Sequence, residues 1–130
     1  MISRPARGDD VVIADRGGDY TGKARPGVIV QSDLFATLDS GTVCPLTSSA
    51  ADAATMRLRI DPSDELSLRT ASWIAVDKLT AVRRDRIGPS MGRLSREDLQ
   101  RLNGAIAMFL GLAPETADST RRSRGRLRRE

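Results

Sequence analysis

Histidine is absent from this 130-residue chain, and cysteine occurs once, as Cys44. Together these gaps remove a His-based acid/base pair, a Ser-His-Asp triad and any Cys/His zinc cage. They also remove an intramolecular disulfide, so the sequence demands no oxidising compartment. Aromatic residues are nearly as scarce: Tyr20, Phe35, Trp73 and Phe109 are the whole set, too few for a broad stacking platform. No apolar run approaches the roughly 20 residues that a membrane-spanning helix needs. The start, Met1 to Asp10, carries Arg4 and Arg7 and lacks the apolar stretch of a signal peptide. A cytoplasmic protein with no membrane partner is therefore expected.

Lysine is the other shortage. Of 21 basic residues only Lys23 and Lys78 are lysine, and 17 acidic residues leave a net charge of +4. The planar, always charged fork of arginine suits phosphate, so nucleic acid is a permitted partner. An Ala- and Arg-rich composition is also what a GC-rich genome writes by default, so the bias alone names none.

The length suits one domain. Asp10-Val11-Val12-Ile13-Ala14 reads as a buried strand, followed by a glycine-rich loop from Arg16 to Ala24 and a second strand, Arg25 to Gln31, with Pro26 confined to its beginning. Thr42 to Thr47 reads as a third strand whose internal Pro45 implies an edge or a bulge. Ser48 to Thr55 is a small, polar loop. Arg57–Ile60, Leu66–Arg69 and Ser72–Val76 alternate polar with apolar residues and predict further half-buried strands. A helix is marked by Ser95 with Asp98 as a capping box and Leu94 with Leu99 as a staple. Its apolar face, Leu99, Leu102, Ile106, Phe109 and Leu110, is read as core, and Gly111 and Pro114 supply the stop.

These elements predict an α+β, mainly β fold: a small barrel or strongly curved sheet, over residues 1–114, with one C-terminal helix packed on it. Edge strands remain in so small a sheet, and dimerisation is one way to cover them. Residues 115–130 form a separate arginine-rich tail, with Arg121, Arg122, Arg124, Arg126, Arg128 and Arg129. Its low apolar content and like-charge repulsion predict disorder when free. It could grip phosphates or be a solvated terminus of no special role.

Function enters through the N-terminal half. Arg7-Gly8-Asp9-Asp10-Val11-Val12, then Arg25-Pro26-Gly27-Val28-Ile29-Val30-Gln31, then Cys44-Pro45-Leu46-Thr47-Ser48 resemble the MazF/PemK family of toxin endoribonucleases. That family shows a Gly-Asp near the start, an Arg-Pro opening the second strand and a Pro-x-Thr-Ser ending the third. Ser72, Asp77, Leu79, Val82 and Arg86-Ile87 resemble its late strand, and Gly92 to Leu112 its C-terminal helix. The resemblance spans residues 7 to 112 and leaves the tail outside it.

The resemblance implies an SH3-like barrel of the CcdB/PemK type, a homodimer, a cognate acidic antitoxin and cofactor-free, metal-independent cleavage of single-stranded RNA. The ribose 2′-hydroxyl attacks, leaving a 2′,3′-cyclic phosphate and a 5′-hydroxyl. Two catalytic residues carry over: Arg25, which stabilises charge on the phosphoryl oxygens, and Thr47, which orients the scissile phosphate. Some family members place a Glu five residues before that Arg; here the position holds Tyr20. Asp19 is a candidate proton acceptor or a turn residue. RNA contacts are expected from Asp19, Tyr20, Thr21, Lys23 and Ser48. Arg84 and Arg86 face the RNA or form a solvated strand end, and Trp73 is read as core or dimer contact. A CcdB-like gyrase-binding toxin and a catalytically inactive RNA- or antitoxin-binding member remain the alternatives.

Overall fold

Val43 and Cys44 project to opposite faces of one strand, β3 (Ser40–Thr47), and both are fully buried. A strand buried on two sides must be central, and the chain is built around it. The computed structural model describes residues 5–13, 24–49, 56–66 and 68–112. Its other strands are β1 (Asp9–Ile13), β2 (Arg25–Ile29), β4 (Arg57–Ile60), β5 (Ser72–Ala75), β6 (Thr80–Arg83) and β7 (Ile87–Arg93), followed by helix α1 (Arg96–Phe109). All pairings are antiparallel, in the order β4-β5-β3-β2-β1-β7, with β6 also on β3.

The expected mainly β fold with one C-terminal helix is present, and the sheet is open. β4 and β7 stand at its ends, where the gap is bridged by Arg93 N–H donating to the Glu65 carbonyl at 2.8 Å. Among the described residues there are seven strands, of which β6 and β7 are not among those read from hydrophobic alternation. β7 escapes a sequence pattern because Gly88, Pro89 and Gly92 interrupt it, and its pairing with β1 is correspondingly bulged. As an edge strand it tolerates the proline. Of the strand expected at Leu66–Arg69, the described residues Leu66, Leu68 and Arg69 lie outside any strand. The expectation of an edge for Pro45 is also corrected. β3 has β2 on one side, while on the other it pairs with β6 up to Val43 and with β5 from Leu46. Pro45 stands where β3 changes partners.

One face of the sheet supplies the main core, Val28, Cys44, Leu46, Ile60, Ile74 and Val76, onto which α1 lays Leu102, Ala105 and Ile106. The helix begins as its cap dictates, with the Ser95 hydroxyl oxygen accepting from Asp98 N–H at 3.0 Å. Only part of the expected apolar face is core: Leu102 is buried, whereas Phe109 and Leu110 are exposed, because the last turn overhangs the sheet. Gly111 ends it at a φ of 75°, a conformation that glycine adopts without penalty. Val11, Ile29, Val43 and Val82 make a second, smaller core on the other face. Among the described residues no helix is long and apolar enough to cross a membrane.

Candidate active site

The second face of the sheet is apolar only at one end. At the other, the paired register Ile29↔Val43, Gly27↔Pro45 ends, and the terminal residues Arg25 of β2 and Thr47 of β3 lie two positions beyond it on the same face. Directly paired residues on neighbouring strands project from the same face, with Cβ atoms about 5 Å apart. Two residues 22 positions apart in sequence thus line one cleft of about 320 Å³, together with Pro26, Pro45, Leu46, Arg57, Ala75 and Lys78. Gly27 allows the strands to close here: a Cβ on it would stand 2.7 Å from Ile13 Cδ1 and 3.2 Å from the Cys44 carbonyl.

The cleft is cationic. Arg25, Arg57 and Lys78 line it, and among the described residues no carboxylate does. The nearest acid interaction is that of Asp77, whose Oδ1 lies 3.6 Å from Arg57 Nε, an ion pair without hydrogen-bond geometry. Arg57 is held by its neighbours, its side chain 9% exposed, whereas Arg25 and Lys78 are open to solvent. The Thr47 hydroxyl oxygen accepts from Ser49 N–H at 3.2 Å. A hydroxyl has two acceptor positions and one hydrogen, so this bond fixes the oxygen and leaves its hydrogen available to an anion. Ser48 is exposed beside it. Cys44, on the core side of β3, takes no part: burial, and then the Asp77 charge, push its thiol up to about 12 against the opposing effect of Arg7, so it stays neutral.

Arg84 and Arg86 sit elsewhere. They occupy a single turn between β6 and β7, and Arg83, next to Arg84, pairs with Ser40 at the opposite end of β3 from Thr47. Arg84 lines a separate cleft with Thr37, Leu38, Asp39, Arg83 and Asp85. The structure does not bring it together with Arg25. Asp19, Tyr20, Thr21 and Lys23 lie outside the described residues, as do most of the 48–55 loop and the arginine tail. Nothing in the sequence marks Arg57 or Lys78 as a site residue. The alternation of Arg57-Leu58-Arg59-Ile60 gave the outward face of β4, but only the pairing Arg57↔Ala75 shows what that face meets. The Gly-Asp motif near the start turns out to be architectural: Gly8 has a φ of 91°, donates to the Ile29 carbonyl and accepts from Leu94 N–H, tying β2 to the start of the helix.

An open, seven-stranded antiparallel sheet with one packed helix, carrying a cationic cleft where its central strands end, defines a small β protein built to receive an anion. The family model of PemK-like, MazF-like toxins of type II toxin–antitoxin systems matches residues 7–110. A probable endoribonuclease MazF of Mycolicibacterium smegmatis is 43% identical over 107 residues, covering 82% of this chain and 97% of that protein. An endoribonuclease solved in complex with its cognate antitoxin, from a mycobacterial species, shares the fold with a TM-score of 0.67 at 23% identity, over 86% of this chain and 98% of that one. A MazE–MazF structure from Deinococcus radiodurans does so at 0.66 and 18%, over 85% and 99%. The chain belongs to the PemK-like, MazF-like toxin family.

Proposed function

We propose that this toxin is an endoribonuclease that cuts single-stranded RNA at the Arg25–Thr47 cleft without a metal or cofactor. The observation that carries this reading is the meeting of a solvent-open guanidinium and an oriented hydroxyl in one cationic cleft. The 2′-oxygen attacks phosphorus, the bond to the 5′-oxygen breaks, and a 2′,3′-cyclic phosphate and a 5′-hydroxyl result. The proton lost by the 2′-hydroxyl is matched by the one gained at the 5′-oxygen, so the reaction needs no net acid or base. What it needs is stabilisation of charge on the phosphoryl oxygens, which a guanidinium and a hydroxyl donor supply. Arg25 is the main donor and Thr47 the orienting one, while Arg57 and Lys78 hold the flanking phosphates.

The same cleft attracts an acidic antitoxin segment, whose carboxylates stand in for phosphates. The related structures solved with an antitoxin support that partner. A homodimer in the cytoplasm completes the reading. Incubating the purified protein with a long unstructured RNA in EDTA tests it. Fragments ending in cyclic phosphate are expected, and their loss in Arg25→Ala. RNA left intact by the wild type, together with inhibition of DNA supercoiling, would replace the nuclease by a gyrase-binding toxin.

A further inference from the structure

Trp73 does not belong to the core. It is half-buried and stands outside both apolar clusters. The strand register shows what it adjoins instead: Thr47 pairs with Trp73 on β5, and Trp73 pairs with Arg59 on β4. Paired residues share a face, so one row runs across the sheet from the cleft's hydroxyl to an indole and on to a guanidinium, on the same side as Arg25. The Arg59 guanidinium carbon lies 5.7 Å from the indole ring centroid, within the range of a cation–π contact. Arg59 is itself anchored, its Nε donating to Asp61 Oδ1 at 3.0 Å. The ring is therefore steadied from the β4 side and keeps part of its surface open.

The geometry points to Trp73 as a base-binding residue: it stacks on the nucleobase next to the phosphate held by Arg25 and Thr47, with Arg59 as the cation behind it. This rests on the endoribonuclease reading. A phosphate seated at Thr47 has its neighbouring base one ribose away, and the indole lies one strand away. Stacking uses the π-face that every base has, so Trp73 sets how firmly the RNA is held and where its backbone lies, and sequence preference comes from other groups.

Trp73 is the only tryptophan in the chain, so emission excited beyond the tyrosine absorption band reports on this position alone. The wild-type protein is titrated with a short single-stranded RNA whose 2′-O-methyl riboses cannot attack. Saturable quenching of the emission is expected. On cleavable RNA, Trp73→Ala raises KM about tenfold with kcat little changed, and Trp73→Phe restores most of the loss. Emission that does not move while the anisotropy of a labelled RNA reports binding overturns the assignment and leaves the nuclease reading intact. So does a Trp73→Ala protein that falls from dimer to monomer while the wild-type emission ignores RNA, which gives the indole to a contact between two copies. Wild-type protein that cuts RNA no better than Arg25→Ala removes the nuclease reading itself.

Discussion

Two clefts of nearly equal volume, about 320 and 330 Å³, open at opposite ends of β3, and arginines line both. In the Thr47 cleft the cations Arg25, Arg57 and Lys78 share the walls, among the described residues, with no carboxylate. In the other, Arg83 and Arg84 share them with Asp39 and Asp85. There Arg83 Nη2 lies 2.9 Å from Asp85 Oδ2, and Arg84 Nε donates to the Leu38 carbonyl while its buried Nη1 has no hydrogen-bond partner. Arg84 also packs against Gly41, where a Cβ would stand 3.2 Å from its guanidinium carbon. A phosphate entering the second cleft would compete with Asp85 for Arg83 and face two carboxylates. On the proposed reading, the number of arginines says little about where RNA binds, and the carboxylates that stand beside them decide.

The largest effect should come from the first cleft. Removing one donor aimed at a developing oxyanion costs about 10²–10³ in kcat, so Arg25→Ala should slow cleavage by that factor with KM less affected. Thr47→Val keeps the shape and loses a neutral donor, weaker than a charged one, and about tenfold to a hundredfold is expected. Single-turnover rates at saturating protein check both. If Arg84→Ala matched Arg25→Ala in this assay, the distinction between the clefts would collapse.

How far the sequence foretells this site depends on how local the physics is. The Ser95 cap, the Gly111 stop and the strands through Val28, Cys44 and Ile74 rest on chemistry within a few residues, and they are legible. Arg25 and Thr47 are legible only as members of a family pattern, because a strand start and a strand end are otherwise ordinary places for a charge and a hydroxyl. Arg57 and Lys78 are not legible at all. They reach the cleft through cross-strand register and through the turn at Val76–Lys78, and neither is written in the spacing of one segment. The same long-range pairing hides the role of Arg84, whose place beside Arg83 and Asp85 looks like any basic stretch until β6 is laid on the start of β3.

A charge placed in the first cleft sharpens the comparison. Lys78→Glu introduces there the carboxylate that the second cleft already has, at an exposed position where folding should tolerate it. RNA binding should weaken about tenfold at low ionic strength, and the gap to wild type should narrow as salt rises, because fewer counterions are released and the added repulsion is screened. Anisotropy titrations at two salt concentrations measure both the loss and the slope. A tenfold loss that salt does not narrow would mean that Lys78 acts by shaping the cleft rather than by its charge.

The smallest effect is expected from undoing the neutralisation of the second cleft. The hydrogen bond from Arg83 holds the Asp85 carboxyl below its usual range, so the pair persists through neutral pH and is lost only as acid protonates the carboxylate. Asp85→Asn removes that charge at any pH and frees Arg83, giving the second cleft a surplus of positive charge. If cation number governed catalysis, cleavage would rise. If catalysis needs a guanidinium opposite an oriented hydroxyl, kcat should stay within about twofold of wild type, since an exposed pair of this kind contributes little, while weak, salt-sensitive RNA binding increases slightly. The second cleft has cations, volume and, in Thr37, a hydroxyl, but Asp39 still stands beside them and no hydrogen bond among the described residues orients the Thr37 hydroxyl as Ser49 N–H orients that of Thr47, which is the reason to expect no gain in rate.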